Sequence, residues 1–152
     1  MARILDFKVY DKVIYRGQNN AAILLEGDYE ERHFIIVRTR MGHPCAYVET
    51  KPDDWAYNQK PGEWSEQYDA YDVYVHGGAT YYGKLSWDNN DRIYLGWDYA
   101  HAGDYDYYCD DGYKWTLPEI LMDIARAVDG IGRQNADHWE EMHALPIERD
   151  GT

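Results

Sequence analysis

Only one stretch of the chain has the residue spacing of a long helix, and it follows the segments that resemble strands. The helix is predicted to begin after Thr116, because Thr116 and Glu119 form a capping box and the proline between them is tolerated in a first turn. Apolar residues then recur on one helical face as far as Ile131, and Gly130 and Gly132 predict its end. We expect this helix to cover the apolar face of a sheet.

The chain before this helix is predicted to form short strands separated by polar turns. The predicted strands are Phe7 to Tyr15, Ala21 to Leu25, His33 to Arg38, Cys45 to Thr50, Tyr71 to His76, Tyr81 to Trp87 and Ile93 to Tyr99. The turn Asp88-Asn89-Asn90-Asp91 makes the last two of these a hairpin. The sequence therefore predicts an α+β fold, a mainly antiparallel sheet with one C-terminal helix packed on its apolar face.

Two further segments complete the predicted organisation. The polar stretch from Lys51 to Asp69 predicts a long loop, with Trp55 and Trp64 packed against the body, and ordered loops of this length tend to be lids or binding loops. A short helix is predicted around Asp137 to Ala144. With 152 residues the chain is expected to form a single domain, residues 1–152.

The candidate functional groups lie near the ends of the predicted strands. Alternation of apolar and polar residues in the fifth and last predicted strands places His76 and Asp98 on the same polar face. His76 is followed by Gly77 and Gly78, which free the backbone to turn sharply and to approach a ligand closely. A simple bulge or turn is the alternative reading of this double glycine.

A loop with two carboxylates and an imidazole follows the last predicted strand. Asp98, His101 and Asp104 are spaced three residues apart, and with His43 and His76 they supply three imidazoles and two carboxylates. These groups suit a divalent transition metal or a general acid and base pair for hydrolysis. Their spacing matches no standard metal or phosphate-binding motif. A structural hydrogen bond between Asp98 and His101 that fastens the loop is the alternative.

Tyrosine and tryptophan dominate the aromatic content, with 16 Tyr and 6 Trp against 2 Phe. Eleven of the tyrosines lie between Tyr68 and Tyr113, so the middle of the chain is dense in rings with a polar tip. Such side chains suit the walls of a binding pocket or an interface. They also suit strands, in which aromatic residues are preferred.

The chain is acidic, with 28 Asp and Glu against 15 Lys and Arg and a formal charge of -13. This charge disfavours direct binding to nucleic acid and favours docking on a basic surface of another protein. Two cysteines without C-x-x-C spacing cannot build a disulfide framework, and no apolar run is long enough for a signal peptide or a membrane helix. We therefore expect a cytoplasmic protein that does not bind membranes.

Three ordered motifs carry a resemblance to a known family. They are Gly42-His43-Pro44-Cys45-Ala46-Tyr47-Val48, then Val75-His76-Gly77-Gly78-Ala79-Thr80, then the segment from Gly96 to Asp104. They resemble a family of small bacteriophage and prophage proteins with the patterns G-H-x-C-x-Y-V, V-H-G-G-x-T and G-F-D-x-A-H-x-G-D. Trp97 stands for the usual phenylalanine and Tyr99 for a frequent cysteine. The resemblance covers a core at 42–131, outside which lie the N-terminal strands, 1–41, and the tail, 132–152.

The resemblance implies a phage-encoded protein in the host cytosol, and small phage proteins outside the virion often counter host defence. The leading hypothesis is sequestration of a small nucleotide-like signalling molecule in an aromatic pocket, with rings stacked on the base. The candidate ligand-binding residues are His43, Tyr74, His76, Gly77, Gly78, Thr80, Trp97, Asp98, His101 and Asp104. No residue is assigned a catalytic role at this point.

Two alternatives stay open. A metal-dependent hydrolase of such a nucleotide would hold a divalent metal as cofactor, with His76, Asp98, His101 and Asp104 as its ligands. An acidic inhibitor would instead imitate nucleic acid and dock on a basic host defence protein. The partner is accordingly a small nucleotide-like ligand or a basic host protein, and a homo-oligomer is compatible with each of these functions.

Overall fold

A computed structural model describes residues 7–10, 15–16, 21–86, 88 and 90–143. The strands in these residues are β1 (Lys8–Tyr10), β2 (Tyr15–Arg16), β3 (Ala21–Tyr29), β4 (Arg32–Arg38), β5 (Pro44–Thr50), β6 (Tyr81–Gly83) and β7 (Ile93–Asp98). They form one sheet in the order β1-β3-β4-β5-β7-β6, with β2 also paired to β3. Every pairing is antiparallel.

The long C-terminal helix, α1 (Leu117–Asp137), begins as the sequence predicts. Thr116 Oγ1 accepts from the Glu119 backbone N–H at 3.4 Å, and Glu119 Oε1 accepts from the Thr116 N–H at 2.9 Å. The helix continues through Gly130 and Gly132, so the predicted end at these glycines was wrong. A short helix, α2 (Trp139–His143), follows near its predicted place.

Helix α1 packs on one face of the sheet and completes the main core. The face of α1 that packs there includes Ile120, Leu121, Ile124 and Val128. The sheet contributes alternate residues of each strand, since successive side chains of a strand point to opposite faces. They are Phe34, Ile36, Ala46, Val48, Trp97 and Tyr99. The predicted α+β fold, with its antiparallel sheet and one helix on the apolar face, is confirmed.

The opposite face of the sheet is apolar as well, although the sequence predicted a polar face there for the last strand. Ile35, Val37, Cys45 and Tyr94 form a second buried cluster with Leu85. Leu85 comes from the segment after β6, and partly buried Tyr81 and Tyr47 pack against the same cluster. The segment after β6 therefore gives this face an apolar cover.

The segment 71–80 is not a strand, so the strand predicted from Tyr71 to His76 was wrong. It runs along α1, where the Asp72 backbone N–H contacts Gln134 Oε1 at 3.5 Å. Its end is hydrogen-bonded to the sheet, where the Thr80 N–H donates to the Gly96 carbonyl of β7 at 2.9 Å. Tyr71 is buried while Tyr74 is 77% exposed. The alternation that indicated a strand instead reflects burial of every second residue against neighbouring side chains, including those of the helix.

The loop from Lys51 to Asp69 contains two short 3₁₀ helices, Ala56–Asn58 and Gln67–Ala70. Trp55 packs as predicted, because its ring stacks on His138 with centroids 3.7 Å apart. Trp64 does not pack against the body as predicted, because 93% of its surface is exposed.

Several strand bounds differ from the predicted ones. Strand β3 continues past Leu25 to Tyr29 and turns at Glu30 and Glu31, whose φ angles are 49° and 66°. Strand β6 ends early, at Gly83, but pairs with β7 as the predicted hairpin requires. Positions 11–14, 87 and 89 of the predicted strands and turn lie outside the described residues, as does the last residue of the short helix predicted at 137–144. Within the described part of the chain, no helix has the length and apolar character needed to cross a bilayer.

Candidate functional site

Asp104 lies at the centre of a hydrogen-bonded cluster in the loop after β7. Its Oδ2 accepts from the His101 backbone N–H at 2.9 Å and lies 2.6 Å from His76 Nε2. Its Oδ1 accepts from the Trp115 indole at 2.9 Å. Burial opposes ionisation of Asp104, but these donors outweigh burial and hold the pKa of the carboxyl below its ordinary value. Asp104 is therefore ionised at neutral pH, and His76 donates from Nε2.

The imidazole of His76 packs against two aromatic rings, which also contact each other with centroids 5.2 Å apart. It stacks on Tyr99 with centroids 5.2 Å apart and 8° between the planes, and the Trp115 ring lies 4.5 Å away. The His76 backbone N–H donates to Asp123 Oδ2 at 3.3 Å, which attaches this segment to α1. Within the described residues Nδ1 of His76 makes no hydrogen bond, so this nitrogen is left as an unpaired hydrogen-bond acceptor.

A second set of hydrogen bonds fixes the ring on which His76 stacks. Tyr99 donates its hydroxyl to Asp123 Oδ2 at 2.7 Å and accepts from Trp97 Nε1 at 2.9 Å. Arg126 Nη1 donates to the other Asp123 oxygen at 2.6 Å. Burial, followed by the hydrogen bond to the Asp123 carboxylate, raises the pKa of Tyr99 above its ordinary value. The phenol thus stays a donor, and Tyr99 is held rigidly against α1.

Asp98 and His101 form the other imidazole–carboxylate pair. His101 Nε2 lies 3.3 Å from Asp98 Oδ1 without forming a hydrogen bond. Asp98 Oδ1 also accepts from the Ala100 N–H at 3.1 Å, and Thr80 Oγ1 lies 3.5 Å from Asp98 Oδ2. The His101 and His76 rings are 5.2 Å apart and nearly perpendicular. The two pairs are therefore neighbours and form one cluster, the His–Asp cluster.

Gly77 and Gly78 shape the backbone beside this cluster. Both have left-handed φ angles, +71° and +80°. A Cβ at Gly77 would overlap the His101 ring at Nε2, whereas a Cβ at Gly78 would meet no atom within 4 Å. Gly77 therefore supplies the close backbone approach that the sequence indicated, but the group it approaches is His101.

The structure brings together four of the predicted site residues, but in two pairs, His76 with Asp104 and His101 with Asp98. His76 and Asp98 do not share a strand face, because the segment before Gly77 is not a strand. Within the described ranges no group of three or more His, Cys, Asp or Glu side chains could hold a metal ion. The predicted metal site of His76, Asp98, His101 and Asp104 is therefore not formed in this part of the chain.

Three other predicted ligand-binding residues lie elsewhere. His43 is in the turn before β5, with Nδ1 3.3 Å from Thr39 Oγ1. Tyr74 points into solvent. Trp97 is fully buried beneath Tyr99 and belongs to the core. Trp97 reaches the His–Asp cluster only indirectly, through its hydrogen bond to Tyr99, and His43 and Tyr74 form no hydrogen bond or ring contact with the cluster among the described residues.

A pocket of about 240 Å³ lies on the helix-facing side of the sheet, beside the His–Asp cluster. We call it the aromatic pocket, and residues 105–115, which form much of its wall, the aromatic loop. The aromatic and cationic side chains that line it are Tyr99, Tyr105, Tyr107, Tyr113, Trp115, Arg38 and Lys114. The remaining lining residues are Leu24, Gly42 and Pro44.

Strands β3 and β4 supply the sheet side of the aromatic pocket. Arg38 follows Phe34 and Ile36 at two-residue spacing in β4, so it lies on the same face as these helix-facing residues. The register between β3 and β4 shifts around Leu24, and both Leu24 and Leu25 contact the helix-facing core. Such bulges re-aim a side chain, and here the bulge adds Leu24 to the pocket.

The aromatic loop is held onto the sheet by backbone contacts. The Tyr107 N–H donates to the Met41 carbonyl at 2.9 Å, and a Cβ at Gly42 would lie 2.7 Å from the Tyr107 ring. The ends of the loop meet where the Tyr105 N–H donates to the Tyr113 carbonyl at 3.0 Å. The loop thus closes over the turn before β5 and leaves the pocket beneath it.

Two cations line the aromatic pocket, one from β4 and one from the aromatic loop. Lys114 Nζ lies 4.4 Å above the centre of the Tyr105 ring. Arg38 extends from the end of β4. Neither cation forms an ion pair with a carboxylate among the described residues, whereas Arg32, Arg92 and Arg126 all do. The pocket therefore combines aromatic ring faces with two cationic side chains that no carboxylate of the described residues neutralises.

Apart from the density of tyrosine, no single pattern in the sequence predicts the lining of the aromatic pocket. The alternation in β4 would have placed Arg38 on the helix-facing side. The spacing of Tyr105, Tyr107, Tyr113 and Trp115 marks the aromatic loop, but no local signal brings it to Arg38.

Comparisons with known proteins give no relative for the chain. No protein-family model matches it, and it matches neither a curated protein nor a solved structure. The resemblance to the phage family therefore stays a prediction, and the function has to be argued from the two sites.

Proposed function

We propose that this protein sequesters a small nucleotide-like signalling molecule in the aromatic pocket. The observation that carries the proposal is the convergence of Arg38 and Lys114 on a pocket lined by four tyrosines and a tryptophan. Aromatic rings stack on bases of any sequence, and guanidinium and ammonium groups bind phosphate. The pocket thus offers a recognition group for each part of a nucleotide.

The size of the pocket supports a ligand with a single ring system in its interior. Pockets that enclose drug-sized ligands have volumes of about 300–1,000 Å³, and the aromatic pocket has about 240 Å³. One base fits beneath the aromatic loop, while sugar and phosphate remain at the mouth. Arg38 and Lys114 are both exposed, which suits contact with a phosphate there.

The charge distribution supports capture of a small anion more than docking on nucleic acid. The whole chain carries a formal charge of -13, which repels a long polyanion. A single phosphate needs only the two local cations. Charge-assisted hydrogen bonds of this kind contribute about 1.5–3 kcal/mol each.

The biological setting follows from the resemblance to phage proteins. A phage protein in the host cytosol that removes a nucleotide signal would silence a defence system that depends on the signal. Sequestration needs no chemical step, and the pockets of sequestering proteins need only affinity. The absence of a paired acid and base inside the aromatic pocket, within the described residues, agrees with capture.

Binding to a panel of nucleotides tests the proposal. We expect isothermal titration calorimetry to detect AMP, ADP-ribose or a cyclic dinucleotide at a stronger affinity than adenosine, which lacks the phosphate. Arg38→Ala and Lys114→Ala should each weaken the affinity about 10-fold or more, because each loses a charge-assisted contact. Chromatography of the released ligand should return it unchanged.

The chain offers matched controls for both kinds of contact. Lys84→Ala removes an exposed cation that pairs with Asp91 outside the pocket. Tyr108→Ala removes a ring that is 79% exposed, next to the pocket residue Tyr107. Both controls should bind as the wild type does, whereas Tyr107→Ala should not.

Four results would overturn sequestration in the aromatic pocket. Failure of every nucleotide to bind, or equal affinity of Lys114→Ala and wild type, would remove the pocket as the site. Conversion of the ligand would favour the hydrolase. Salt-sensitive binding to a basic protein, without nucleotide binding, would favour the nucleic-acid mimic.

A further inference from the structure

The His–Asp cluster and the aromatic pocket share Trp115. Its indole N–H donates to Asp104 Oδ1 at 2.9 Å, and its ring lies 4.5 Å from the His76 ring. The same ring lines the aromatic pocket and packs edge-on against Tyr113, with centroids 5.3 Å apart. Any change at the carboxylate of Asp104 therefore reaches the wall of the pocket through one hydrogen bond.

We propose that Asp104 is a positioning residue for ligand binding, which acts through Trp115 with His76 as its second partner. The inference rests on the proposed function, since it concerns affinity at the aromatic pocket. It gives the His–Asp cluster a role other than metal binding or acid–base chemistry. The cluster sets the orientation of the indole against which a base would stack.

The hydrogen-bond inventory of Asp104 explains why a carboxylate is needed. Three N–H groups point at its two oxygens, from the His101 backbone, His76 and Trp115. An ionised carboxylate accepts all three, whereas an amide offers one oxygen and turns an NH₂ group toward the donors. Asp104 is only 6% exposed, so water cannot replace a lost partner easily.

Asp104 also fixes the start and the closing residues of the aromatic loop. Its backbone N–H donates to the His101 carbonyl at 2.9 Å. The Tyr113 N–H donates to the Gly103 carbonyl at 2.8 Å, and a Cβ at Gly112 would overlap the Asp104 backbone. The carboxylate and the backbone at this position thus hold two walls of the pocket, Trp115 and Tyr113, in one arrangement.

One isosteric change and one replacement by a smaller ring test the positioning role. Asp104→Asn keeps the size of the side chain and removes one acceptor, and Trp115→Phe keeps a ring and removes the indole N–H. We expect each to weaken binding of AMP, or of the tightest nucleotide in the panel, about 10-fold. The double variant should lose less affinity than the product of the two single losses, because both changes remove the hydrogen bond between Trp115 and Asp104. Asp110→Asn, an exposed change in the same loop, should bind as the wild type does.

A spectroscopic measurement separates positioning from a loss of folding. In ¹H–¹⁵N spectra of Asp104→Asn the indole resonance of Trp115 should shift. The indole resonances of the other tryptophans should shift less. Acrylamide should quench the fluorescence of this variant more strongly. Far-ultraviolet circular dichroism should match the wild type, as expected if only the indole moves.

The outcomes distinguish this inference from the proposed function. If the wild type binds a nucleotide and the affinity of Asp104→Asn for it lies within twofold of the wild-type affinity, the positioning role is wrong and sequestration stands. If the wild type binds no nucleotide, sequestration is wrong, and the indole resonance still decides the role of Asp104. An unshifted resonance with unchanged quenching would overturn that role.

Discussion

The Gly77 position is subject to two independent constraints at the scale of a single residue. Its φ angle of +71° is disfavoured for any residue with a Cβ, and the space where a Cβ would lie is filled by the His101 ring. Gly78 shares the first constraint, with φ of +80°, but has open space beside it. The neighbouring glycines therefore form a natural pair for separating backbone strain from steric overlap.

Gly78→Ala should lower the free energy of unfolding by about 1–2 kcal/mol, the cost of a left-handed L-residue. Gly77→Ala should cost at least about 1 kcal/mol more, because the His101 ring must also leave its place beside Asp98. Urea unfolding of both variants measures the difference. Equal losses would show that the ring does not depend on Gly77.

The residues of the His–Asp cluster show how far single positions can be predicted. The sequence indicated that His76, Asp98, His101 and Asp104 lie near one another, because each is close to a turn or glycine. It offered the pair of Asp98 and His101 only as an alternative and did not indicate that His76 pairs with Asp104, since the predicted strand before Gly77 put His76 beside Asp98. Pairing depends on how that segment lies against the helix, which is a tertiary property.

At the scale of elements, the C-terminal end of α1 illustrates a limit of local rules. Glycine is common just after a helix, so Gly130 and Gly132 predicted its end. The helix instead continues to Asp137, and Gly130 lies where α1 meets segment 71–80, since a Cβ there would be 2.7 Å from the Asp72 carbonyl oxygen. A Cβ at Gly132 would meet nothing within 4 Å. One glycine serves packing and the other has no contact that requires it.

Alanine at these two positions should change the free energy of unfolding in opposite directions. Gly132→Ala should raise the free energy of unfolding by about 0.5–1 kcal/mol, because alanine is the better residue in a helix interior. Gly130→Ala should lower it by about 1–3 kcal/mol, because the added methyl group forces α1 away from the Asp72 backbone. Chemical denaturation of the two variants provides the comparison. Stabilisation by both would mean that α1 does not contact this segment closely.

Elements with strong local signals were predicted well. The capping box at Thr116 and the pairing of β6 with β7 are local patterns, and both are present. The segment 71–80 has the same alternation as a strand, yet its partner is a helix. Alternation records which side chains are buried and does not identify the element that covers them.

At the scale of the whole molecule, the aromatic pocket depends on contacts that no local pattern encodes. Arg38 and Lys114 come from β4 and the aromatic loop, and only the closure of that loop over the turn before β5 brings them together. The sequence supplied the aromatic density and the acidic balance. Although the chain is acidic, the folded structure places the two cations Arg38 and Lys114 at one pocket.

Asp54 is another residue whose role belongs to the whole molecule. It joins the β4 strand, the loop after β5 and the end of α1. Arg32 donates to both of its oxygens, at 2.6 and 2.8 Å, and Asn135 Nδ2 and the Lys51 N–H complete the set at 3.0 and 2.8 Å. Burial opposes the charge of Asp54, but the Arg32 guanidinium outweighs burial and holds the pKa of the carboxyl below its ordinary value.

Asp54→Asn should therefore lower the free energy of unfolding at pH 7 by about 3–5 kcal/mol, the cost of breaking a buried ion pair. Asp53→Asn is the matched control, because it removes the same charge from an exposed neighbour and should change stability by less than about 0.5 kcal/mol. The comparison of the two variants cancels any effect of the net charge on folding. Urea unfolding at a series of pH values supplies the measurement.

The pH dependence of this difference has a definite sign. Because the pKa of Asp54 is lower in the folded than in the unfolded chain, its contribution is complete above the unfolded value, near 3.9. It is lost as pH falls from about 5 through the folded pKa, since protonation then discharges Asp54 in the wild type as well. The difference in the free energy of unfolding between Asp54→Asn and Asp53→Asn should become smaller over that pH interval. A gap that stays constant from pH 7 to pH 2 would mean that the charge of Asp54 does not hold these three parts of the chain together.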